Sequence, residues 1–300
     1  MESFARGVTR LGVVFVNVFA VGEPGGPWVL VDTGLAGSAG LIRRAVAKRF
    51  GTRPEAIVLT HGHFDHVGSA WDLAGGWGVP IYAHPLENPY LTGLSDYPPS
   101  DPTMGGAMAQ MSRLMPDHGY DFGERVRTLS ADGDVPGLAD WRWMHTPGHT
   151  PGHVSLFCEA DGILLAGDAF ATMNLDSWAS YLTHKRELSR PSPPFTFDWE
   201  TTRQSVEMLA DLEPHVVAAG HGLPIAGDHV AAELRGFAAS LAPPRRGRYV
   251  AHPPRADERG VTELPPPVPD PLARRAGAAA ALASGITALV LALRRGARSR

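Results

Sequence analysis

The run Thr60-His61-Gly62-His63-Phe64-Asp65-His66 constrains this chain more than any other feature, because it crowds three imidazoles and a carboxylate into six residues. Ala56 to Leu59, just before it, has the aliphatic character of a short buried strand, so the run opens a loop at a strand end. In an extended turn, residues two apart point the same way. His61 and His63 can therefore grip one cation while the bend of the chain brings Asp65 and His66 toward a second. Neutral imidazole and carboxylate suit zinc, manganese or iron. Four ligands close in sequence leave two metal shells open, so later strand ends must deliver the rest. Three candidates stand at such places: His149 in His145-Thr146-Pro147-Gly148-His149, Asp168 in Leu164-Leu165-Ala166-Gly167-Asp168, and His221 in Ala218-Ala219-Gly220-His221. The single cysteine, Cys158, can form neither an internal disulfide nor a thiolate cluster, which leaves the metal to His and carboxylate and fits a reducing compartment.

Around these motifs the chain alternates strand and helix patterns, the grammar of an α/β domain. Leu11 to Val21 and Trp28 to Val31, separated by a Gly-Pro turn, read as a pair of buried strands, the second ending at Asp32-Thr33-Gly34. Ser38 to Phe50 has the spacing of an amphipathic helix, and Gly68 to Ala74 and Val79 to Ala83 read as a helix and a strand. From Leu86 to about Ser130 the pattern is lost. Pro98-Pro99, Gly105-Gly106 and the methionines 104, 108, 111 and 115 there suggest a long inserted loop with one short helix, of the kind that shapes a pocket. Trp141 to Met144, Val154 to Cys158 and Ile163 to Ala166 are strands, the last two joined by a hairpin at Asp161-Gly162. After the irregular stretch Thr172 to Phe197, Asp198 reads as the N-cap of a helix that Pro214 stops, and Val216 to Ala219 as a last buried strand.

Past about Leu241, Pro243-Pro244, Pro253-Pro254 and Pro265-Pro266-Pro267 mark an extended arm of polyproline character. The expected organisation is a catalytic domain over 1–242, this arm over 243–272 and an Ala-rich C-terminal helix over 273–300. Residues 276–293 carry no charge and are just long enough to span a bilayer. Their many alanines, with Gly277, Ser284 and Gly285, insert weakly, so a membrane-associated tail competes with a helix docked on protein or a frayed end. A net charge of -4 gives no electrostatic reason to expect a nucleic-acid partner. Met1 to Thr9 has no apolar core of signal-peptide type. The expectation is a cytoplasmic enzyme acting on a small molecule, with membrane association through 276–293 as the alternative.

Taken in order from Asp32 to His221, these motifs resemble those of the metallo-β-lactamase-fold superfamily over about residues 10 to 240. The resemblance implies a four-layered αβ/βα sandwich with its metal site at one edge. Carried over position by position, His61, His63 and His149 would hold metal 1, Asp65, His66 and His221 metal 2, and Asp168 would bridge both. Asp32 would brace the metal-bearing loop. Two zinc ions are implied, with manganese or iron as alternatives. They would share a hydroxide that attacks an ester, thioester or lactone carbonyl, with Asp65 orienting it or relaying a proton.

Departures from the subgroups narrow the reaction. Asp168 stands where zinc β-lactamases use Cys, and Ala171 stands where homoserine-lactone hydrolases carry a catalytic Tyr. Glyoxalase II-like enzymes share the metal motifs, but their basic C-terminal thiol-tripeptide site has no counterpart here. The alternative is a mononuclear-iron sulfur dioxygenase, with phosphodiesterase and β-lactamase behind it. His84, His145 and His153 read as structural or pocket-rim residues. Trp178, Tyr181, Phe195 and Phe197 read as core packing or as the lining of an apolar cleft.

Overall fold

A computed structural model describes residues 1–270 and 272, so the stretch 276–293 lies outside the described residues. Two β-sheets form its middle. The first runs in chain order through β1 (Glu2–Ala5), β2 (Val8–Val13), β3 (Val16–Gly22), β4 (Trp28–Val31), β5 (Ala56–Val58), β6 (Ile81–Ala83) and β7 (Val126–Thr128). The strands β1 to β4 are an antiparallel meander, and β4 to β7 run parallel. The second sheet is built from β8 (Asp134–Val135), β9 (Leu138–His145), β10 (Val154–Cys158), β11 (Ile163–Leu165), β12 (Val216–Ala218) and β13 (Ile225–Ala226). Its order is β13-β12-β11-β10-β9-β8, with β11 and β12 parallel.

Alternating burial explains why the sheets stack. In β4 all four residues are buried, which a strand covered on both faces requires. Val29 and Val31 join Val8, Phe19 and Val58 against Val154, Leu156, Leu165 and Ala218 of the second sheet. Trp28 and Leu30 face the other way, where Ile42, Val46 and Phe50 of α1 (Ala39–Phe50) pack on them. After the short α2 (Phe64–Val67), α3 (Ala70–Trp77) adds Leu73 and Ala74 to that layer. The insertion contributes α4 (Asn88–Leu91) and α5 (Gly106–Met111), and the second irregular stretch α6 (Trp178–Thr183). On the outer face of the second sheet, Leu164 and Val217 meet Val206 and Leu209 of α7 (Trp199–Ala210) and Leu234 of α8 (Val230–Ser240). The layers are helix, sheet, sheet, helix, the sandwich that the motifs imply. Asp198 caps α7 as expected, its side chain accepting from Thr201 N–H at 3.0 Å.

Two features depart from the sequence reading. Leu11 to Val21 is not one strand but a tight hairpin, with Val13 paired to Val16 and Val14 in the left-handed region at φ 58°. A turn without Gly, Asn or Pro leaves no signature in composition. The expected boundary at 242 also moves, because the compact unit runs from Met1 to Pro265. Instead of projecting as an arm, residues 243–265 return across the insertion. Tyr249 is fully buried with Tyr90, Tyr97 and Phe197, and its hydroxyl donates to Pro99 O at 2.7 Å. A hairpin of β14 (Arg255–Asp257) and β15 (Gly260–Glu263) is pinned where Val261 N–H donates to Ser95 Oγ at 3.1 Å. Among the described residues no helix is long and apolar enough to cross a membrane. Emptying the aromatic socket by Tyr249→Ala is expected to cost about 3–5 kcal/mol in urea denaturation; a loss below about 1 kcal/mol would show that the strap does not support the fold.

Candidate metal centre

Parallel strands that end at one edge bring the motifs together. Asp32 follows β4, His61 and His63 follow β5, Asp168 follows β11, and His221 follows β12, while His149 sits on the loop from β9 to β10. All seven candidate ligands, which are His61, His63, Asp65, His66, His149, Asp168 and His221, are buried and converge. They form three overlapping sets, His61/His63/His149, His61/His66/Asp168 and Asp65/His66/His221, with donor atoms in each lying within 4.8 Å of one another. Gly220 permits this approach, since a Cβ there would fall 2.0 Å from Asp168 Oδ1 and 2.6 Å from His66 Cε1.

Each of four rings is aimed by an oxygen at its far nitrogen. His66 Nδ1 donates to Asp32 Oδ2 at 2.8 Å, and His221 Nδ1 to the carbonyl of Phe15 at 2.8 Å. His61 Nδ1 donates to Thr60 Oγ1 at 3.0 Å, and that hydroxyl donates onward to Asp32 Oδ2 at 2.9 Å. His149 Nδ1 donates to Thr196 Oγ1 at 3.0 Å, whose proton goes to Ser192 O at 2.8 Å. These partners select the tautomer with a bare Nε2. His63 Nδ1 lies 3.0 Å from His149 Nε2. Asp168 sits between the groups, with Oδ2 3.1 Å from His221 Nε2 and 3.6 Å from His149 Nε2, and Oδ1 3.5 Å from His66 Nε2. Asp65 Oδ2 lies 3.5 Å from His221 Nε2. His61 Nε2, His66 Nε2 and Asp168 Oδ1 are buried without a hydrogen-bond partner, a cost that a shared cation removes. The donor set therefore fits a pair of metal ions held by imidazole and carboxylate.

Asp32 contacts the loop over 60–66 at three points. Its backbone takes a left-handed φ of 61°, and besides His66 and Thr60 Oγ1 its carboxylate accepts from Thr60 N–H at 2.8 Å. Three further residues support the ligands, and of these Asn17 and Glu87 were not legible. His153 accepts the Asp168 backbone N–H on Nε2 at 2.8 Å, so it positions a ligand rather than being one. Asn17 holds the His221 loop by donating to Ala219 O at 2.8 Å and Gly222 O at 2.7 Å. Glu87, fully buried, joins the two loops that carry the first set. Its Oε2 accepts from Gly62 N–H at 2.9 Å and from the Tyr97 hydroxyl, and its Oε1 from Thr150 Oγ1 at 2.7 Å and Gly152 N–H at 2.8 Å. His84 and His145 stack on each other with ring centroids 4.0 Å apart and belong to none of the three sets. Of the four aromatics, Phe195 lines the cleft beside the ligands, Phe197 packs under Tyr97, Tyr181 packs against the cluster that holds Met108 and Phe195, and Trp178 is exposed.

Electrostatics divide the ligands in two. Burial holds His61 and His149 well below the usual imidazole range and brings His63 down to about 3, neighbouring rings adding to the effect. Burial acts the same way on His66, but Asp168, Asp32 and Asp65 overcome it and push that ring up to about 10. His221 is raised likewise by Asp168 and Asp65 against the same burial. The carboxyl of Asp65 is raised by burial, against the pull of His66 and His221. The first set thus offers bare lone pairs at neutral pH, and the set at Asp65/His66/His221 offers protons that a cation must displace.

Two outcomes follow from this arrangement. Zinc uptake at Asp65/His66/His221 should release protons and weaken more as pH falls than uptake at His61/His63/His149. Calorimetric titration in buffers of different ionisation enthalpy reads this directly, and a second zinc equivalent that releases none would contradict it. Glu87→Ala strands the buried Gly152 N–H and the Tyr97 and Thr150 hydroxyls at about 1–3 kcal/mol each, while Gly62 N–H keeps the Tyr97 oxygen at 2.9 Å. It is expected to lower stability and to loosen the His61/His63/His149 set, read as reduced zinc stoichiometry after dialysis against a chelator; unchanged stoichiometry and stability would exclude the tie.

The family comparison agrees with the geometry. A family model described as the metallo-beta-lactamase superfamily matches residues 11–221, a span that takes in every candidate ligand. The protein named probable metallo-hydrolase YflN of Bacillus subtilis (strain 168) is 43% identical over 242 residues, covering 79% of this chain and 92% of that protein. The probable metallo-hydrolase YybB of the same organism is 30% identical over 194 residues, covering 64% of this chain and 74% of that protein. Among solved structures, the BLEG-1 B3 metallo-β-lactamase aligns with a TM-score of 0.53 at 24% identity, over 74% of this chain and 96% of that one. TTHA1623, solved in a di-iron-bound form, aligns with a TM-score of 0.50 at 27% identity, over 80% of this chain and 99% of that one. By motif, fold and family match, the chain belongs to the metallo-β-lactamase superfamily, as a metal-dependent hydrolase.

Proposed function

We propose that this protein is a dinuclear hydrolase acting on the carbonyl of an ester, thioester or lactone. The observation that carries the reading is the convergence of seven buried ligands into overlapping sets around Asp168. Cations held there, zinc first and manganese or iron as alternatives, would supply Lewis acidity to a carbonyl oxygen and draw the pKa of a water down toward ~7. The chain's own groups do the rest. Asp32, Thr60, Thr196 and the Phe15 carbonyl keep the rings oriented, so no reorganisation accompanies reaction. Asp65 lines the cleft, and its burial-raised carboxyl suits it to accept a proton from the attacking water and return it to the leaving group. Phe15, Phe64 and Phe195 flank the ligands and exclude bulk water from them.

Completeness of the Asp65/His66/His221 set favours two metals over one, and so a hydrolase over a single-iron sulfur dioxygenase. The di-iron form of TTHA1623 supports iron as an alternative occupant. The test is metal quantification of protein purified without added metal, paired with a panel of thioesters, lactones, aryl esters, phosphodiesters and a β-lactam. Two equivalents per chain are expected, with carbonyl-substrate turnover that falls more than about 100-fold in His61→Ala, beyond the loss typical of an outer-shell partner. Equal turnover by wild type and His61→Ala would overturn the reading.

A further inference from the structure

The wall of the cleft facing the ligands is almost wholly hydrocarbon. A narrow cleft opens beside His63, Asp65, His149, Asp168 and His221, and its remaining lining is Phe15, Phe64, Met108, Met115, Phe195 and Ser192. No Lys or Arg is among the lining residues. Arg190, on the neighbouring stretch, is committed to Asp176 through Nη2 at 2.6 Å and Nε at 3.1 Å. Ser192 supplies the one polar side chain outside the ligand sets, and its buried Oγ has no hydrogen-bond partner.

This wall is fixed in place. The Met-bearing insertion is tied to the second irregular stretch where Ala107 N–H donates to Asp176 O at 3.1 Å and Asp101 N–H to Pro194 O at 2.8 Å. Gly106, at φ +88°, permits that contact, since a Cβ there would fall 2.6 Å from Asp176 Oδ1. A carboxylate or phosphate on the substrate's acyl side would leave water to face Phe and Met with no side-chain cation as partner, a costly burial. A hydrocarbon would exchange water for flexible thioethers that adapt to several shapes.

We propose that the acyl group this centre accepts is a short, uncharged hydrocarbon, seated against Phe64, Met108, Met115 and Phe195. The proposal rests on the hydrolase reading above. In the reaction the water oxygen bonds to the acyl carbon, the acyl–sulfur or acyl–oxygen bond breaks, and the thiol or alcohol leaves with a proton as the carboxylic acid forms.

The experiment uses the metal-loaded full chain and one leaving group, with acetyl, butanoyl, hexanoyl and succinyl esters or thioesters, succinyl being butanoyl-sized with a terminal carboxylate. Expected is a rise in kcat/KM of about fourfold per added methylene until the cleft is filled, with succinyl at least 100-fold below butanoyl. Met115→Lys, at a half-buried position, should shrink that ratio at least tenfold, while Met115→Leu should keep it. Calorimetric binding of butanoate, hexanoate and succinate gives a readout independent of turnover. Wild type that processes succinyl as well as butanoyl overturns the proposal, as does a folded Met115→Lys with an unchanged ratio. Absence of any acyl turnover while hexanoate still outbinds succinate sinks the hydrolase reading and leaves the apolar assignment standing.

Discussion

A buried carboxylate at the end of β4 is the contact on which the centre depends. Asp32 accepts from Thr60 N–H, from Thr60 Oγ1 and from His66 Nδ1, and through Thr60 it also orients His61. One side chain thereby fixes the loop after β5 and two of its rings. Its left-handed backbone is a strain of the kind that persists where the surroundings over-determine it. The stacked sheets provide that surrounding, since β4 and β5 are neighbours in register and buried on both faces. Packing holds the strand ends, the strand ends hold the carboxylate, and the carboxylate holds the imidazoles.

Further ties of the centre are bonds that cross the molecule. Asn17 reaches from β3 to the His221 loop, and Glu87 reaches from the insertion to both the His61–His63 loop and the His149 loop. Such ties bind the two sheets through their loops as well as through their core. Local opening of these loops would have to break a buried hydrogen-bond network, so the ligand sets share the cooperativity of the whole unit.

The ligands could be read from sequence because they are chemically rare in clusters and sit at recognisable strand ends. Their supports could not. The role of Glu87 depends on residues 25 and 65 positions away, that of Asn17 on residues 202 and 205 away, and neither has a local pattern. His153 is a histidine four residues from a ligand, and only the placement of the Asp168 amide shows that it receives a hydrogen bond there. Strands with alternating or wholly apolar runs, such as β4 and β10, were legible, whereas the two-residue β8 and β13 were too short to carry a period. The C-terminal strap misled by composition: prolines pointed to a free arm, and a single buried tyrosine between them anchors it to the domain.

The turn between β2 and β3 carries a different kind of information. His221 is aimed by the main-chain oxygen of Phe15, which every amino acid possesses, so the orienting group survives any exchange of the Phe15 side chain. What it cannot survive is a change in chain length. A hairpin with one residue more or fewer would rotate that carbonyl away from the ring, which makes this edge of the centre tolerant of substitution and intolerant of insertion or deletion.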